Sequence, residues 1–173
     1  SGALIVATGA VEQPLVFGNN DLPGVMLASG VARFIHMYAV LPGSRVLIVT
    51  ANDDGWQVAA DLISVGVAVV GVADERPQSD SGNVRAVEGT STPIFWEHTI
   101  MGAEGNGAVG EAVLVALDSR GEVNGGASKV VSCDIIATSV GWMANHGLLY
   151  QSGGTLEYDE ERAEILAVSL PED

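Results

Sequence analysis

Arg45-Val46-Leu47-Ile48-Val49-Thr50-Ala51-Asn52-Asp53-Asp54-Gly55 is the stretch on which the fold turns. Its apolar run has no polar alternation and reads as a strand over residues 45–50 that is buried on both faces. A helix follows over residues 54–64, with Val58, Leu62 and Ile63 toward the sheet and Ala59 and Ala60 small enough for close packing. Gly66 closes the helix, and residues 67–73 form the next buried strand. Strand, helix and strand within about 30 residues make one βαβ unit, the building block of a parallel sheet.

The turn from strand to helix is where a dinucleotide-binding fold carries Gly-x-Gly-x-x-Gly. The first glycine makes the tight turn, the second lets backbone approach the pyrophosphate, and the third lets helix and strand pack closely. Here the three positions hold Thr50, Asn52 and Gly55, so only the third glycine is present. Asp53 and Asp54 lie where phosphates would need the positive end of the helix dipole. Two readings follow: Asn52 or Asp53 caps the helix and the motif holds the fold alone, or the turn still takes an adenosine-containing ligand in altered form.

Asp74 ends the next strand, 19 residues beyond Gly55, near the spacing of a ribose-binding carboxylate. It reads either as an acceptor for a ribose 2′-OH or as a solvent-facing strand terminus in the turn Asp74-Glu-Arg-Pro77. Arg76 could approach a 2′-phosphate or be satisfied by its neighbours Asp74 and Glu75. Trp56, in the first helical turn, could pack over the phosphate turn or meet a neighbouring domain.

Outward from this unit, residues 3–9 read as a buried strand ending in Ala7-Thr8-Gly9, and Thr8 and Gly9 are further candidate cofactor-binding residues. Residues 26–38 read as a helix with Leu27, Val31, Phe34, Ile35 and Tyr38 on its apolar face. After Pro77 the pattern changes: a brief helix fits within residues 80–89, and 92–95, 99–101, 108–117 and 128–131 are candidate strands separated by Gly-rich turns. They read as an antiparallel meander added to the βαβ core. Another apolar strand, residues 134–138, precedes Ser139-Val-Gly-Trp142. The expected fold class is α/β, a three-layer Rossmann-like FAD/NAD(P)-binding domain with an antiparallel β-meander.

Lys plus Arg number 7 against 22 Asp plus Glu, giving a net charge of −15. Such a field repels nucleic-acid backbones and anionic membranes, so neither is an expected partner. The longest apolar stretch is too short to span a bilayer, which takes about 20 residues. A lone Cys133 can form no internal disulfide, which fits a reducing compartment and an expected cytoplasmic location. Cys133 itself reads as a small core residue. His36, His98 and His146 have no metal-ligand spacing, so no metal is expected, and Glu12 reads as a solvated carboxylate.

Five segments together resemble the flavoproteins in which a second dinucleotide-binding domain is inserted into the first. They are Ala7-Thr-Gly-Ala-Val-Glu-Gln-Pro-Leu-Val-Phe17, Asn20-Asp-Leu-Pro-Gly-Val-Met26, Thr50-Ala-Asn-Asp-Asp-Gly55, Cys133-Asp-Ile-Ile-Ala-Thr-Ser-Val-Gly-Trp142 and Gln151-Ser-Gly-Gly154. Within that group the chain resembles the alpha subunit of heterotetrameric sarcosine oxidase and related opine and proline dehydrogenase subunits. The resemblance implies the central piece of a larger subunit. Residues 1–43 would be the end of the first nucleotide-binding domain with a connecting helix, 44–131 the inserted domain, and 132–173 the return into the first.

The resemblance further implies an oxidoreductase subunit that supports oxidation of sarcosine or a related secondary amine beside flavin-bearing subunits. It carries no catalytic residue onto this chain. NAD or FAD belongs to the parent subunit, and no cofactor is expected tightly bound here, although Thr8, Gly9, Thr50, Asn52, Gly55 and Asp74 stand as candidate contacts. The other readings are an adenine-nucleotide-binding regulatory module and a catalytically silent docking domain. If residues 3–9 and 134–138 are open strand edges, a homodimer of the isolated piece is also expected.

Overall fold

The computed structural model describes residues 5–160 and 162–170. The chain divides into two compact units, one of residues 14–141 and the other of residues 1–13 with 142–173. The larger unit contains β2 (Val25–Leu27), α1 (Ala28–Tyr38), β3 (Arg45–Thr50), α2 (Asp53–Ser64), β4 (Ala68–Asp74), α3 (Gly82–Glu88) and β5 (Ile94–Trp96). It continues through β6 (His98–Glu104), β7 (Glu111–Ala116) and β8 (Lys129–Ser132) to β9 (Ile135–Ser139). The smaller unit holds β1 (Ala10–Glu12), β10 (Trp142–Ala144), α4 (Gly147–Gln151), β11 (Thr155–Asp159) and β12 (Glu164–Ser169).

In the larger unit a parallel five-stranded sheet has the order β2-β9-β3-β4-β5. Alternation along its strands builds two cores. Val46, Ile48, Ile135 and Ala137 face a helix layer, where they meet Val31 of α1, Trp56, Ala59 and Leu62 of α2, and Val84 and Val87 of α3. Leu47, Val49 and Ile136 face the opposite way and meet Ile100, Ala103, Ala112 and Leu114 of the antiparallel sheet β6-β7-β8. The result is a three-layer, Rossmann-like α/β fold of helices, parallel sheet and antiparallel meander. The continuous apolar run of β3 is explained by this arrangement, since residues 46–50 are all buried between two covered faces.

One irregularity keeps β4 in step. The pairing with β3 slips between Val46 and Leu47, which oppose Val69 and Gly71. Val70 packs toward the meander core, and a side chain on Gly71 would press on Phe95 at 2.9 Å and Leu47 at 3.3 Å. The extra residue of the bulge is Val70, and the residue after it, opposite Leu47, is a glycine for lack of room.

At the opposite end of the sheet, Asp134 ties the start of β9 to the start of β3. Its carboxylate accepts from the Arg45 N–H at 2.8 Å, the Ser44 N–H at 3.0 Å and the Ser44 hydroxyl at 2.5 Å. Partial burial pushes this carboxyl up, but the Ser44 and Arg45 donors outweigh it and hold Asp134 below the ordinary carboxylate range.

Several expectations change. Residues 134–138 are no open edge: β9 lies inside the sheet, paired with β2 on one side and β3 on the other. Residues 5–9 form no strand and are exposed, and residues 3 and 4 lie outside the described residues. In the smaller unit the β1 ladder with β10 reaches only from Ala10 to Glu12, so an apolar run without a partner strand stays unpaired. The helix over 26–38 begins at Ala28, because Val25–Leu27 pairs with β9 as an edge strand. On that helix Phe34 and Tyr38 are exposed and lie against each other at 6.2 Å between ring centroids. Residues 92–95 belong to no meander: β5 extends the parallel sheet beside β4, leaving three strands in the antiparallel layer. The boundaries expected at 43/44 and 131/132 both fall inside the larger unit, since β2, α1 and β9 share its sheet and core.

Among the described residues, the smaller unit holds two antiparallel ribbons, β1-β10 and β11-β12, with α4 between β10 and β11 in sequence.

Two measurements check this packing. A side chain on Gly55 would meet the Thr50 Cβ at 2.5 Å, so Gly55→Ala should lower stability in urea unfolding by ~1–3 kcal/mol. Combining it with Thr50→Gly should cost less than the two single losses together, because the clash then disappears. For Asp134, a carboxyl held below its unfolded value near ~3.9 stabilises the fold fully above that pH. That contribution is lost as pH falls through the folded value, so Asp134→Asn should flatten the acid limb of the stability curve in circular dichroism titrations.

Candidate functional site

The carboxyl ends of four parallel strands form a row in register: Ser139 of β9 opposes Thr50 of β3, Thr50 opposes Asp74 of β4, and Asp74 opposes Trp96 of β5. Ser139, Thr50 and Asp74 are fully buried. This is the edge of an open α/β sheet at which ligands bind.

Thr50, at the first glycine position of the fingerprint, packs its side chain directly against Gly55. Its hydroxyl lies 2.9 Å from the carbonyls of both Ser139 and Asn52 and accepts from the Asn52 N–H at 3.2 Å. The Ala51 N–H donates to the Ser139 carbonyl at 3.0 Å, closing the turn onto β9. The third glycine thus keeps its packing role, while a side chain fills the space that the first would leave.

Asn52 is the N-cap of α2. Its Oδ1 accepts from the Asp54 N–H at 3.0 Å and the Gly55 N–H at 3.3 Å, and the Ser139 hydroxyl donates to it at 3.1 Å. These N–H groups are the ones a helix N-terminus offers to a phosphate. With Asp53 and Asp54 in the first turn, the local charge is also of the wrong sign for one.

Asp74 faces no solvent. Its Oδ2 accepts from the Trp56 indole N–H at 2.7 Å and from Arg76 Nη2 at 2.8 Å, and its Oδ1 from the Arg76 backbone N–H at 2.9 Å and Nε at 3.0 Å. Arg76 Nη1 reaches on to Asp53 Oδ1 at 3.0 Å. The hydrogen bond to Asp74 raises the guanidinium pKa further, against the opposing effect of burial and with help from Asp53. Trp56 is buried and stacks on Trp96, with ring centroids 5.2 Å apart and planes at 27°. Glu75, instead of meeting Arg76, accepts from the Thr99 hydroxyl at 2.7 Å.

An adenine dinucleotide needs free N–H groups at the helix start, room beside the turn and a carboxylate with open acceptor sites. At this edge the chain's own groups occupy all three, so the residues as placed do not fit the ligand. Thr50, Asn52, Gly55 and Asp74 do converge here. Thr8 and Gly9 belong to the smaller unit, where the Thr8 hydroxyl donates to the Asn145 carbonyl at 2.9 Å and Gly9, at φ +68°, accepts from the Asn145 N–H. Sequence reasoning missed Trp56 as the partner of Asp74 and Asp53 as the second partner of Arg76. A tryptophan directly after the third glycine, with an aspartate at the next strand end, is the trace that could have revealed the first pair.

The remaining candidates have local roles. Cys133 is buried in the meander core, and burial, with the charge of Asp134 adding to it, pushes its thiol up to about 11, far from a reactive thiolate. His36 pairs with Asp61 at 2.8 Å. His98 donates from Nδ1 to the Trp96 carbonyl at 2.6 Å, leaving Nε2 to accept from Lys129 at 2.8 Å. Within the smaller unit, a cavity of about 380 Å³ is lined by apolar groups together with Asn145, His146 and Tyr150. Among the described residues no group of three or more His, Cys, Asp or Glu is placed to hold a metal, and no helix is long and apolar enough to cross a membrane.

No family model matches the chain. The sarcosine oxidase subunit alpha of Rhizobium meliloti (strain 1021) is 34% identical over 170 residues, 96% of this chain and 16% of that protein. The sarcosine oxidase subunit alpha of Corynebacterium sp. (strain P-1) is 33% identical over 158 residues, 90% of this chain and again 16% of its own length. Among solved structures, thioredoxin reductase of T. acidophilum superposes with a TM-score of 0.68 at 16% identity, over 87% of this chain and 47% of that one. L-proline dehydrogenase from P. horikoshii gives 0.62 at 20% identity, over 94% and 25%. At such identities these structures establish the fold. The chain spans about 16% of the length of these relatives, is homologous over that part to sarcosine oxidase alpha subunits, and shares the Rossmann-like fold of the thioredoxin reductase and L-proline dehydrogenase structures.

Proposed function

We propose that this chain is the central portion of an oxidoreductase subunit of the sarcosine oxidase alpha kind, with residues 14–141 as its inserted nucleotide-binding-like domain. The observation that carries this reading is identity of 34% extending over 96% of the chain, through both units and not over the βαβ core alone. In this role the domain supports the oxidation of sarcosine or a related secondary amine. The amine chemistry belongs to flavin-bearing partner subunits, and NAD or FAD is bound elsewhere in the same subunit. A cytoplasmic location fits the reading.

The filled carboxyl edge of the sheet supports a structural part for this domain over an adenine-nucleotide-sensing one. Asp74 and the start of α2 are engaged within the chain, and the −15 charge opposes capture of a polyanionic ligand from solution. By itself the chain is expected to show no turnover with any amine.

The test is to express the complete native gene together with its neighbouring flavoprotein genes and follow sarcosine-dependent reduction of a dye or of oxygen. The expected result is a multisubunit flavoprotein, with these 173 residues inside a larger polypeptide, that oxidises sarcosine or another secondary amine. A native gene product whose intact mass is that of these residues alone would sink the reading, as would a complete complex inert toward every secondary amine offered.

A further inference from the structure

We infer that side chains of this chain have taken over the mechanical work of a dinucleotide at the edge formed by β3, α2 and β4. Asn52 Oδ1 stands where a phosphate oxygen would meet the α2 N-terminus, and the Arg76 guanidinium stands where a ribose would meet Asp74. The inference concerns what holds this edge together, and it deepens the reading of the domain as a support without depending on which amine is oxidised.

A dinucleotide bound to such a fold bridges two elements, with its pyrophosphate on the helix N-terminus and its ribose on the carboxylate at the following strand end. Arg76 bridges the same two elements from within. One side of the guanidinium meets Asp74 through Nε and Nη2, at 3.0 and 2.8 Å, and Nη1 meets Asp53 in the first turn of α2 at 3.0 Å. The planar fork suits this double grip, which a lysine ammonium could not reproduce.

Acceptor capacity gives the same answer. An ionised carboxylate offers about four lone-pair sites. Those of Asp74 face the Trp56 indole N–H, the Arg76 backbone N–H and two guanidinium N–H groups, all within 3.0 Å. No site remains for a ribose hydroxyl. At the helix start, Asn52 Oδ1 takes the two N–H groups of Asp54 and Gly55 and is itself fixed by the Ser139 hydroxyl. Thr50 fills the volume beside Gly55 that backbone-only contact would leave open to pyrophosphate. Four separate substitutions in the site's chemistry, at Thr50, Asn52, Asp53 and Arg76, thus converge on one internally closed edge.

The test combines ligand titration with exchange at a single reporter, the Trp56 indole N–H, followed by NMR in the 173-residue chain. With NAD+, NADP+ or FAD at about 1 mM, the unfolding midpoint of the unaltered chain should not move, whereas a Kd near 10 μM would raise it by several degrees. Arg76→Ala should accelerate indole exchange by about tenfold or more through loss of the charged partner of Asp74. Arg76→Lys, the milder change, keeps the charge without the fork and should accelerate exchange by several-fold. A midpoint raised by any of the three dinucleotides would overturn the inference. So would an Arg76→Lys chain that exchanges at the unaltered rate, even if Arg76→Ala proved too unstable to study. Either failure leaves the amine-oxidation proposal standing, since that is decided by turnover of the complete complex.

Discussion

A carboxylate with no exposure to water is the constraint around which the larger unit is organised. Asp74 sits at the end of β4, between β3 and β5 on the sheet's carboxyl edge, and ionised groups survive there only with partners on every side. Satisfying it requires Trp56 in the first turn of α2, which fixes the rotation of that helix, and Arg76 two residues on, which folds the strand end back over its own carboxylate. The indole then stacks on Trp96, so β5 is drawn into the same arrangement. Removing the guanidinium would leave the buried Asp74 charge without its ionic partner, a loss of about 3–5 kcal/mol for buried pairs generally. The partial exposure of Arg76, whose side chain is 31% accessible, puts its share toward the lower end.

The βαβ core was legible because its residues answer to local rules. β3 occupies residues 45–50 as expected, α2 starts one residue earlier than expected, and β4 is shifted by one residue at both ends. A run buried on both faces, a capped helix and a closing glycine each leave a mark in the sequence. What escaped was decided by pairing at long range. Val25–Leu27 looks like the opening of a helix, and it becomes a strand only because β9, more than a hundred residues later, offers it an edge. Ile94–Trp96 fits a meander equally well until β4 is seen to lack a neighbour on that side. Residues 5–9 carry strand composition, but in the described chain no partner is paired with them.

The site divides along the same line. The absence of two fingerprint glycines and the capping ability of Asn52 could be read directly. The reach of Arg76 to Asp53 could not, because it depends on the distance between a helix start and a neighbouring strand end, 23 residues apart in sequence. Reading Asp74 as either a ribose acceptor or a solvated terminus omitted what the structure displays, a buried carboxylate saturated by its own chain. Composition alone favours the exposed reading for any aspartate, and burial reverses it only when donors are counted in three dimensions.

The position of β9 has a consequence for how the protein is made. The first strands of the sheet leave the ribosome in spatial order except for one gap, between β2 and β3, which is filled last. Until residues 135–139 emerge, β2 has no hydrogen-bonding partner, β3 shows a bare edge, and Ser139 is missing from the network around Thr50 and Asn52. The nascent chain must therefore carry an open slot in its central sheet through synthesis of the whole meander. At about 5–20 residues per second that is an interval of several seconds in which a foreign strand could enter. The clamp of Asp134 on Ser44 and Arg45 stands at the mouth of that slot and favours the chain's own strand as soon as it arrives.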